Sequence, residues 1–308
     1  MSPTGRFAPS PTGPLHLGSF RTALVAWLAA RTSHSSFRLR IEDLDRQRCR
    51  AEHERLQLDQ LTSLGFDWDG PVVRQSERIP LYHQALEQLR RQERVYPCFC
   101  TRAEITEAAS APHGSPPAAG GRSTAVLPQN AYPGTCRALS TAAAQRRIDT
   151  GQRFALRLRA EGERISWEDQ LLGSQHGICD DFVLVRADGV PAYQLAVVVD
   201  DGAQQIGEVV RGCDLAESTP RQILLQRLLD LPTPAYAHVG LVLGPGGQRL
   251  AKRDPGAVLT ELSESPARTL ARLAHSIGLA SGLEEVSSPG RLLTEFSLQH
   301  IPKEAAML

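Results

Sequence analysis

Apolar residues recur at helical spacing in three stretches near the start of the chain: Ser19 to Arg31, "AEHERLQLDQLTSLG" ending at Gly65, and "RIPLYHQALEQLRRQ". Between and after them lie short runs that read as strands: "FRLRIEDLD" from Phe37, then "FALRLR", "DFVLVR", "YQLAVVVDD" and "IGEVVRG". "STPRQILLQRLLDL" reads as a further helix, with Thr219 as N-cap, Pro220 in the first turn and Gln222 closing a capping box. A last helix is expected after Ser265 and Pro266. Strands alternating with helices predict an α/β fold built on a parallel sheet. From Ala108 to Pro133 the composition shifts to Ala, Pro, Gly and Ser, which cannot supply a packed core, so a mobile loop interrupting a domain is expected there. No internal repeat is present.

The chain has 308 residues, enough for one large domain with an insertion or for two modest domains. Lys plus Arg (34) balance Asp plus Glu (34), so any contact with nucleic acid has to rest on local patches rather than on a global positive field. With no apolar run near 18 residues and no signal-peptide pattern, the sequence reads as a soluble cytosolic protein without a membrane partner, expected to be a monomer. The six cysteines, in a reducing compartment, are better suited to metal binding or burial than to disulfides. Cys49, Cys179 and Cys213 are isolated and assigned to packing.

The densest local chemistry is "RFAPSPTGPLHLGS", Arg6 to Ser19, which leads straight into the first helix. A helix N-terminus offers free N–H groups and a partial positive charge, so a Gly- and Pro-shaped loop before it suits a phosphate, with His16 as an added donor. Spacing alone fits an ordinary turn equally well. The residues themselves carry more. "PSPTGPLHLGS" resembles the HIGH-type signature of class I aminoacyl-tRNA synthetases, and "RFAPSPTGPLHLGSFRTAL" is similar to the opening of the glutamyl-tRNA synthetase group. The resemblance implies a Rossmann-type catalytic domain in which His16 and Gly18 sit against ATP, while Arg6, Phe7, Ala8, Pro9 and Ser10 touch the amino acid.

Such an enzyme carries a second ATP signature, and "GGQRLAKRD" (Gly246 to Asp254) fits its place. Against the KMSKS pattern, Lys252 takes the second lysine, Arg249 replaces the first lysine and Arg253 the final serine. The resemblance makes His16, Gly18 and Lys252 the ATP-binding and catalytic positions, with Mg2+ accompanying ATP. A buried glutamate needs a cation for its retained carboxylate and an anion for its ammonium. Arg6, Glu42, Tyr193 and Arg211 match family positions for this: the arginines on the side-chain carboxylate, Glu42 on the ammonium. Arg211 is the informative one, because a cation there selects glutamate over the neutral amide.

Cys98 and Cys100 in "CFC", with Tyr132 and Cys136 in "YPGTC", offer three thiolates, a set zinc favours. Taken alone they fit buried, unligated cysteines as readily. The family resemblance implies one structural Zn2+ held by Cys98, Cys100, Tyr132 and Cys136, with His113 as the rival fourth ligand.

The resemblance runs from about Gly5 to Leu279, and the expected domains are 1–95 (first catalytic half), 96–190 (inserted acceptor-type subdomain with zinc), 191–280 (second catalytic half) and 281–308 (tail). No anticodon-binding domain is expected. That arrangement resembles truncated glutamyl-tRNA synthetase paralogues, which activate L-glutamate with ATP without tRNA and transfer it to the queuosine base at the wobble position of the tRNA(Asp) anticodon. Two other readings stand beside it: a glutamyl-tRNA synthetase charging a tRNA 3′ end, and a non-catalytic zinc-containing RNA-binding paralogue.

Overall fold

Short strands, two to six residues long, come together here with helices packed over them. The structure is a computed structural model describing residues 3–101, 103–106, 131–243, 264–280 and 282–307. Strand β1 (Gly5–Phe7) leads through the Pro/Gly-rich loop into helix α1 (Leu17–Thr32), followed by β2 (Phe37–Ile41), α2 (Ala51–Ser63), β3 (Val73–Arg74) and α3 (Ile79–Arg91). Strands β1, β2 and β3 pair in parallel in that order. Next come β4 (Val95–Cys98), α4 (Thr141–Asp149), β5 (Ala155–Leu158), β6 (Arg164–Asp169), β7 (Gly173–Ile178) and β8 (Val183–Val185). The second half adds α5 (Tyr193–Ala203), β9 (Glu208–Gly212), α6 (Thr219–Leu228), β10 (Ala235–Val239), β11 (Val242–Leu243), α7 (Pro266–Ser276) and β12 (Ala306–Met307).

The expected parallel sheet is present, in two parts. Strands β9 and β10 pair in parallel, with β6 beyond β10, and an isolated parallel bridge from Thr4 to Ile206 brings β1 beside the start of β9. Antiparallel pairing enters at two places, between β6 and β7 and in the β4–β5–β8 sheet. The cysteine-containing segment sits on this last sheet, with its own small core of Tyr96, Cys98, Phe99, Tyr132, Cys136 and Ala144.

Helix α1 is buried on nearly every face from Leu17 to Ala30, so it has no polar stripe and forms the centre of the main core. Arg21 is the exception in kind. Its guanidinium, also buried, donates to the carbonyls of Gly240 (2.6 Å) and Ser276, the latter at the negative end of α7. The tail, to which the sequence assigned no role, belongs to this core: Val286, Leu292, Phe296 and Ile301 are buried in it, and β12 pairs in parallel with β11.

Two local expectations are corrected. "YQLAVVVDD" forms helix α5, not a strand: Leu195 to Val199 are buried among α3, α6 and β8, and this packing overrides the β-branched preference. The Thr219-x-x-Gln222 pattern is not a capping box either. Ser218 occupies the N-cap without a side-chain cap bond, and both side chains turn instead to Arg211. The Ala108–Pro133 stretch lies largely outside the described residues.

Gly240 is where the tail passes closest to the sheet. A Cβ there would run into the backbone carbonyls of Lys303 and Glu304. Gly240→Ala is therefore expected to lower stability by about 1–3 kcal/mol, as overpacking of a filled site does, measured as a drop in urea midpoint with an unchanged slope.

Candidate active site

The carboxyl ends of β1, β2, β9 and β10 converge on one cavity of about 460 Å³. It opens where the chain order reverses, with β2 on one side of β1 and β9 on the other, the position at which open parallel sheets bind ligands. Arg6, Phe7, Ala8, Pro9 and Ser10 enter its wall from β1, Glu42 follows β2, Tyr193 opens α5 and Arg211 comes from β9. His16 and Gly18 line the same cavity at the start of α1. The structure thus gathers these ten residues around one space. Lys252, with Arg249 and Arg253, lies outside the described residues, as does His113; the last described residue before the former segment is Leu243, next to Val242 in the cavity wall.

The α1 N-terminus faces the cavity through Leu15, His16, Gly18, Ser19 and Thr22. His16 is its N-cap: Nδ1 accepts from the Ser19 amide at 3.1 Å, and Nε2 lies 3.2 Å from Ser19 Oγ. The two-residue spacing to Gly18 has a steric cause, because a Cβ at Gly18 would approach the His16 ring to 3.0 Å. Two glutamines from α2 hold this loop. Gln57 donates to the Ser10 and Gly13 carbonyls (3.1 and 2.7 Å), and Gln60 accepts from the Leu15 amide at 3.1 Å. Helical periodicity alone does not single these two out.

The two arginines of the cavity are held differently. Arg6, 4 % exposed, lies 3.5 Å from Asp201 and donates to the Val210 carbonyl at 3.2 Å. Asp201 also takes Arg40 at 2.7 Å, and Arg40 reaches Glu42 at 3.5 Å, so one buried chain of charges fixes both Arg6 and Glu42. Burial outweighs Arg40 and Arg6 at Glu42 and holds its carboxyl above the usual range. At Asp201 burial pushes the same way, but the charges of Arg40 and Arg6 outweigh it and hold the carboxyl low. Asp200, next along the helix, anchors α5 to Gln75, Arg78 and Tyr82. The signal for this network was available: an arginine inside the apolar strand "FRLRI" and two aspartates closing the run "AVVV".

Arg211 is equally buried, at 4 %, yet no carboxylate among the described residues lies within ion-pair distance of it. Its guanidinium donates to neutral groups only: Nη1 to Gln222 Oε1 (2.7 Å), Nη2 to Thr219 Oγ1 (2.8 Å) and to the Leu215 carbonyl (3.3 Å), and Nε to His238 Nε2 (3.0 Å).

Cys98, Cys100 and Cys136 place their sulfurs within 4.8 Å of one another. Cys100 and Cys136 are 3.5 Å apart, and Tyr132 Oη lies 3.3 Å from Cys98 Sγ and 3.7 Å from Cys100 Sγ. Tetrahedral zinc with Zn–S bonds near 2.3 Å places its ligand atoms about 3.5–3.8 Å apart, so this donor set has the size and chemistry for the ion. Burial, then the neighbouring sulfurs, push the Cys100 thiol up to about 11, a crowding that a cation would relieve. A second cavity of about 720 Å³ runs from Cys98 and Cys100 to the first, sharing Ser10, Glu42 and Tyr193 with it.

A parallel α/β sheet with a helix N-terminus and a polar cleft at its switch point is a frame that many nucleotide-binding proteins share, class I synthetases among them. Residues 4–289 match the family described as tRNA synthetases class I (E and Q), catalytic domain. A curated protein named glutamyl-Q tRNA(Asp) synthetase from Nocardia farcinica is 50% identical over 99% of this chain and 92% of its own length. The protein of the same name from Symbiobacterium thermophilum is 46% identical over 97% of this chain and 94% of its own. The crystal structure of a glutamate tRNA ligase from Elizabethkingia meningosepticum in complex with its amino acid superposes with a TM-score of 0.81 at 28% identity, covering 100% of this chain and 67% of that one. The chain belongs to the glutamyl-Q tRNA(Asp) synthetase family. No helix among the described residues is long and apolar enough to cross a membrane.

Because Asp201 has a depressed carboxyl in the fold, the unfolded chain binds its proton first as pH falls, so its contribution is present above the ordinary aspartate range and lost below it. Asp201→Asn is expected to cost about 3 kcal/mol or more at neutral pH by leaving Arg40 and Arg6 underpaired. It should also flatten the acid limb of stability against pH, measured by urea titrations at several pH values.

Proposed function

We propose that the protein activates L-glutamate with ATP, without tRNA, and transfers it to the queuosine base at the wobble position of the tRNA(Asp) anticodon. The observation that carries glutamate is Arg211: a buried cation in the cavity wall whose described partners are all neutral. Arg21, also buried without a carboxylate, is answered by the carbonyl of Gly240 and by that of Ser276 at a helix C-terminus, and its side chain does not line the cavity. A γ-carboxylate completes Arg211, whereas a γ-amide leaves its charge buried and unpaired. Glu42 takes the substrate ammonium, and Arg6 closes the side-chain end beside Tyr193.

In the first step the α-carboxylate oxygen attacks the α-phosphorus of ATP, the new O–P bond forms in line with the departing pyrophosphate, and no enzyme nucleophile is required. The α1 N-terminus and His16 stabilise the phosphate charge, with Lys252 brought from the downstream signature. Mg2+, when bound with ATP, neutralises part of that charge. In the second step a hydroxyl of the acceptor attacks the activated carbonyl, its proton is lost and AMP departs. The second cavity, polar at Asp45, Arg153, Arg157, Arg186 and Asp188, is the entrance assigned to the acceptor nucleoside. RNA loops present splayed bases, which suits a recess better than a broad basic face. Zn2+ held by Cys98, Cys100, Tyr132 and Cys136 cross-links the segments that form one wall of that entrance.

Glutamate-dependent exchange of labelled pyrophosphate into ATP is expected without tRNA, and its absence would overturn the activation step. Arg211→Gln removes a charge-assisted contact worth about 1.5–3 kcal/mol, so the glutamate KM in that assay should rise roughly 10- to 100-fold. For the acceptor, charging of tRNA(Asp) should require queuosine, and the transferred glutamate should map to the wobble nucleoside rather than to the 3′ end; charging indifferent to queuosine would favour the 3′-end reading. Metal analysis should return one zinc per chain, reduced in Tyr132→Phe; full occupancy in that variant would point to His113 as fourth ligand.

A further inference from the structure

We propose that Asp169 and His238 form a positioning pair for Arg211, fixing the imidazole as the tautomer protonated on Nδ1 so that Nε2 can accept from the arginine. The inference rests on the reading of Arg211 as the glutamate-selecting cation and adds two residues that do not line the cavity.

The tautomer follows from donor chemistry. A guanidinium can only donate, so the atom 3.0 Å from Arg211 Nε, His238 Nε2, must present its lone pair. The ring proton then lies on Nδ1, which faces Asp169 Oδ2. Thr219 Oγ1, 3.3 Å from Nε2, already accepts from Arg211 Nη2 at 2.8 Å, leaving its own proton free to serve the same lone pair. Asp169 is itself fixed, its Oδ1 accepting from the backbone amides of Leu171, Leu172 and His238 at 2.9–3.2 Å. Asp169, His238 and Thr219 are buried to within a few per cent. Register aligns the pair: Arg211 and His238 are direct partners across the β9–β10 ladder. Burial, with the charge of Arg211 beside it, outweighs Asp169 and keeps the imidazole below its usual pKa, consistent with a neutral ring.

The arrangement answers a specific problem. An arginine that must meet a substrate carboxylate cannot be oriented by a protein carboxylate without being neutralised by it. An imidazole interposed between Asp169 and Arg211 gives direction through a neutral atom while the anion stays one ring away.

Asp169→Asn tests this at constant shape. Its retained oxygen can keep the three backbone amides, while its NH2 faces Nδ1, forces the ring proton onto Nε2 and sets donor against donor at Arg211. Nitrogen-15 NMR of histidine-labelled protein should show His238 protonated on Nδ1 in the native protein and on Nε2 in Asp169→Asn. In the tRNA-free exchange assay, the variant should raise the glutamate KM roughly 10-fold, with ATP KM and kcat within about two-fold. His238→Gln, which keeps an acceptor for Arg211, should retain more glutamate affinity than His238→Leu. An Nε2-protonated native ring, an unchanged glutamate KM in Asp169→Asn, equal rises in both KM values, or equal losses in His238→Gln and His238→Leu would each overturn the proposal. Arg211→Gln run in parallel separates the two levels: a raised glutamate KM there with none in Asp169→Asn removes only the positioning pair, whereas an unchanged KM in Arg211→Gln removes the glutamate reading with it.

Discussion

The constraint on which the site depends is the burial of two like charges at neighbouring strand ends. Arg6 and Arg211 lie on strands β1 and β9, which are brought side by side by the bridge at Thr4 and Ile206. A buried guanidinium is costly unless its hydrogens are met. The fold meets them in two ways. Arg6 lies against Asp201, a carboxylate it shares with Arg40, so its charge meets a protein anion. Arg211 has hydrogen-bond acceptors on three sides, none of them a described carboxylate, so its geometry is satisfied while its charge remains available.

Much of the surrounding architecture serves to keep that difference. Helix α5 must place Asp201 under Arg6 and Asp200 against Arg78 and Tyr82, which requires a helix where the side-chain sequence reads as a strand. Helix α6 must present Thr219 and Gln222 to Arg211, and Gln222 is held in turn by its own bond to Gln194 at 2.9 Å. On the phosphate side, Gln57 and Gln60 hold the loop before α1, and Arg21 ties that helix to Gly240 and Ser276. Each is a buried polar side chain whose partners are backbone atoms or other buried groups, the kind of support that holds a binding wall in place.

What the sequence made legible follows from how each feature is encoded. The strand and helix order around β1, α1 and β2 was readable because periodicity and the Pro/Gly loop are local. The cavity residues from Arg6 to Arg211 were reached through motif resemblance, and the fold brings Arg6, Glu42, Tyr193 and Arg211 together from four separate elements. The network behind them was not read. Asp169, Arg40 and His238 derive their meaning from partners 27 to 164 positions away, which no local period identifies. Thr219 and Gln222 show the opposite failure: their spacing satisfies a local rule, and a tertiary partner claims both side chains. The same cause explains α5, where packing on three elements decides against β-branched propensity.

The charge arithmetic of the reaction fits this division of labour, given the proposed substrate. Free glutamate carries two carboxylates and one ammonium; the adenylate has lost the charge of the α-carboxylate to an anhydride bond and keeps the other two. Among the described residues, the cavity offers one cation without a protein carboxylate, Arg211, and one carboxyl whose pKa burial raises, Glu42, for the two charges that persist. Arg6, already facing Asp201, does not demand a second anion. A pocket built in this way remains electrostatically satisfied as the α-carboxylate becomes an acyl phosphate, so the activated intermediate is held by the same contacts as the amino acid. The charge that changes during the reaction is left to the phosphate side, where the α1 N-terminus and His16 stand. On the proposed reading, selectivity for glutamate and retention of its adenylate both follow from one arrangement, an arginine oriented by neutral acceptors beside an arginine that faces an aspartate.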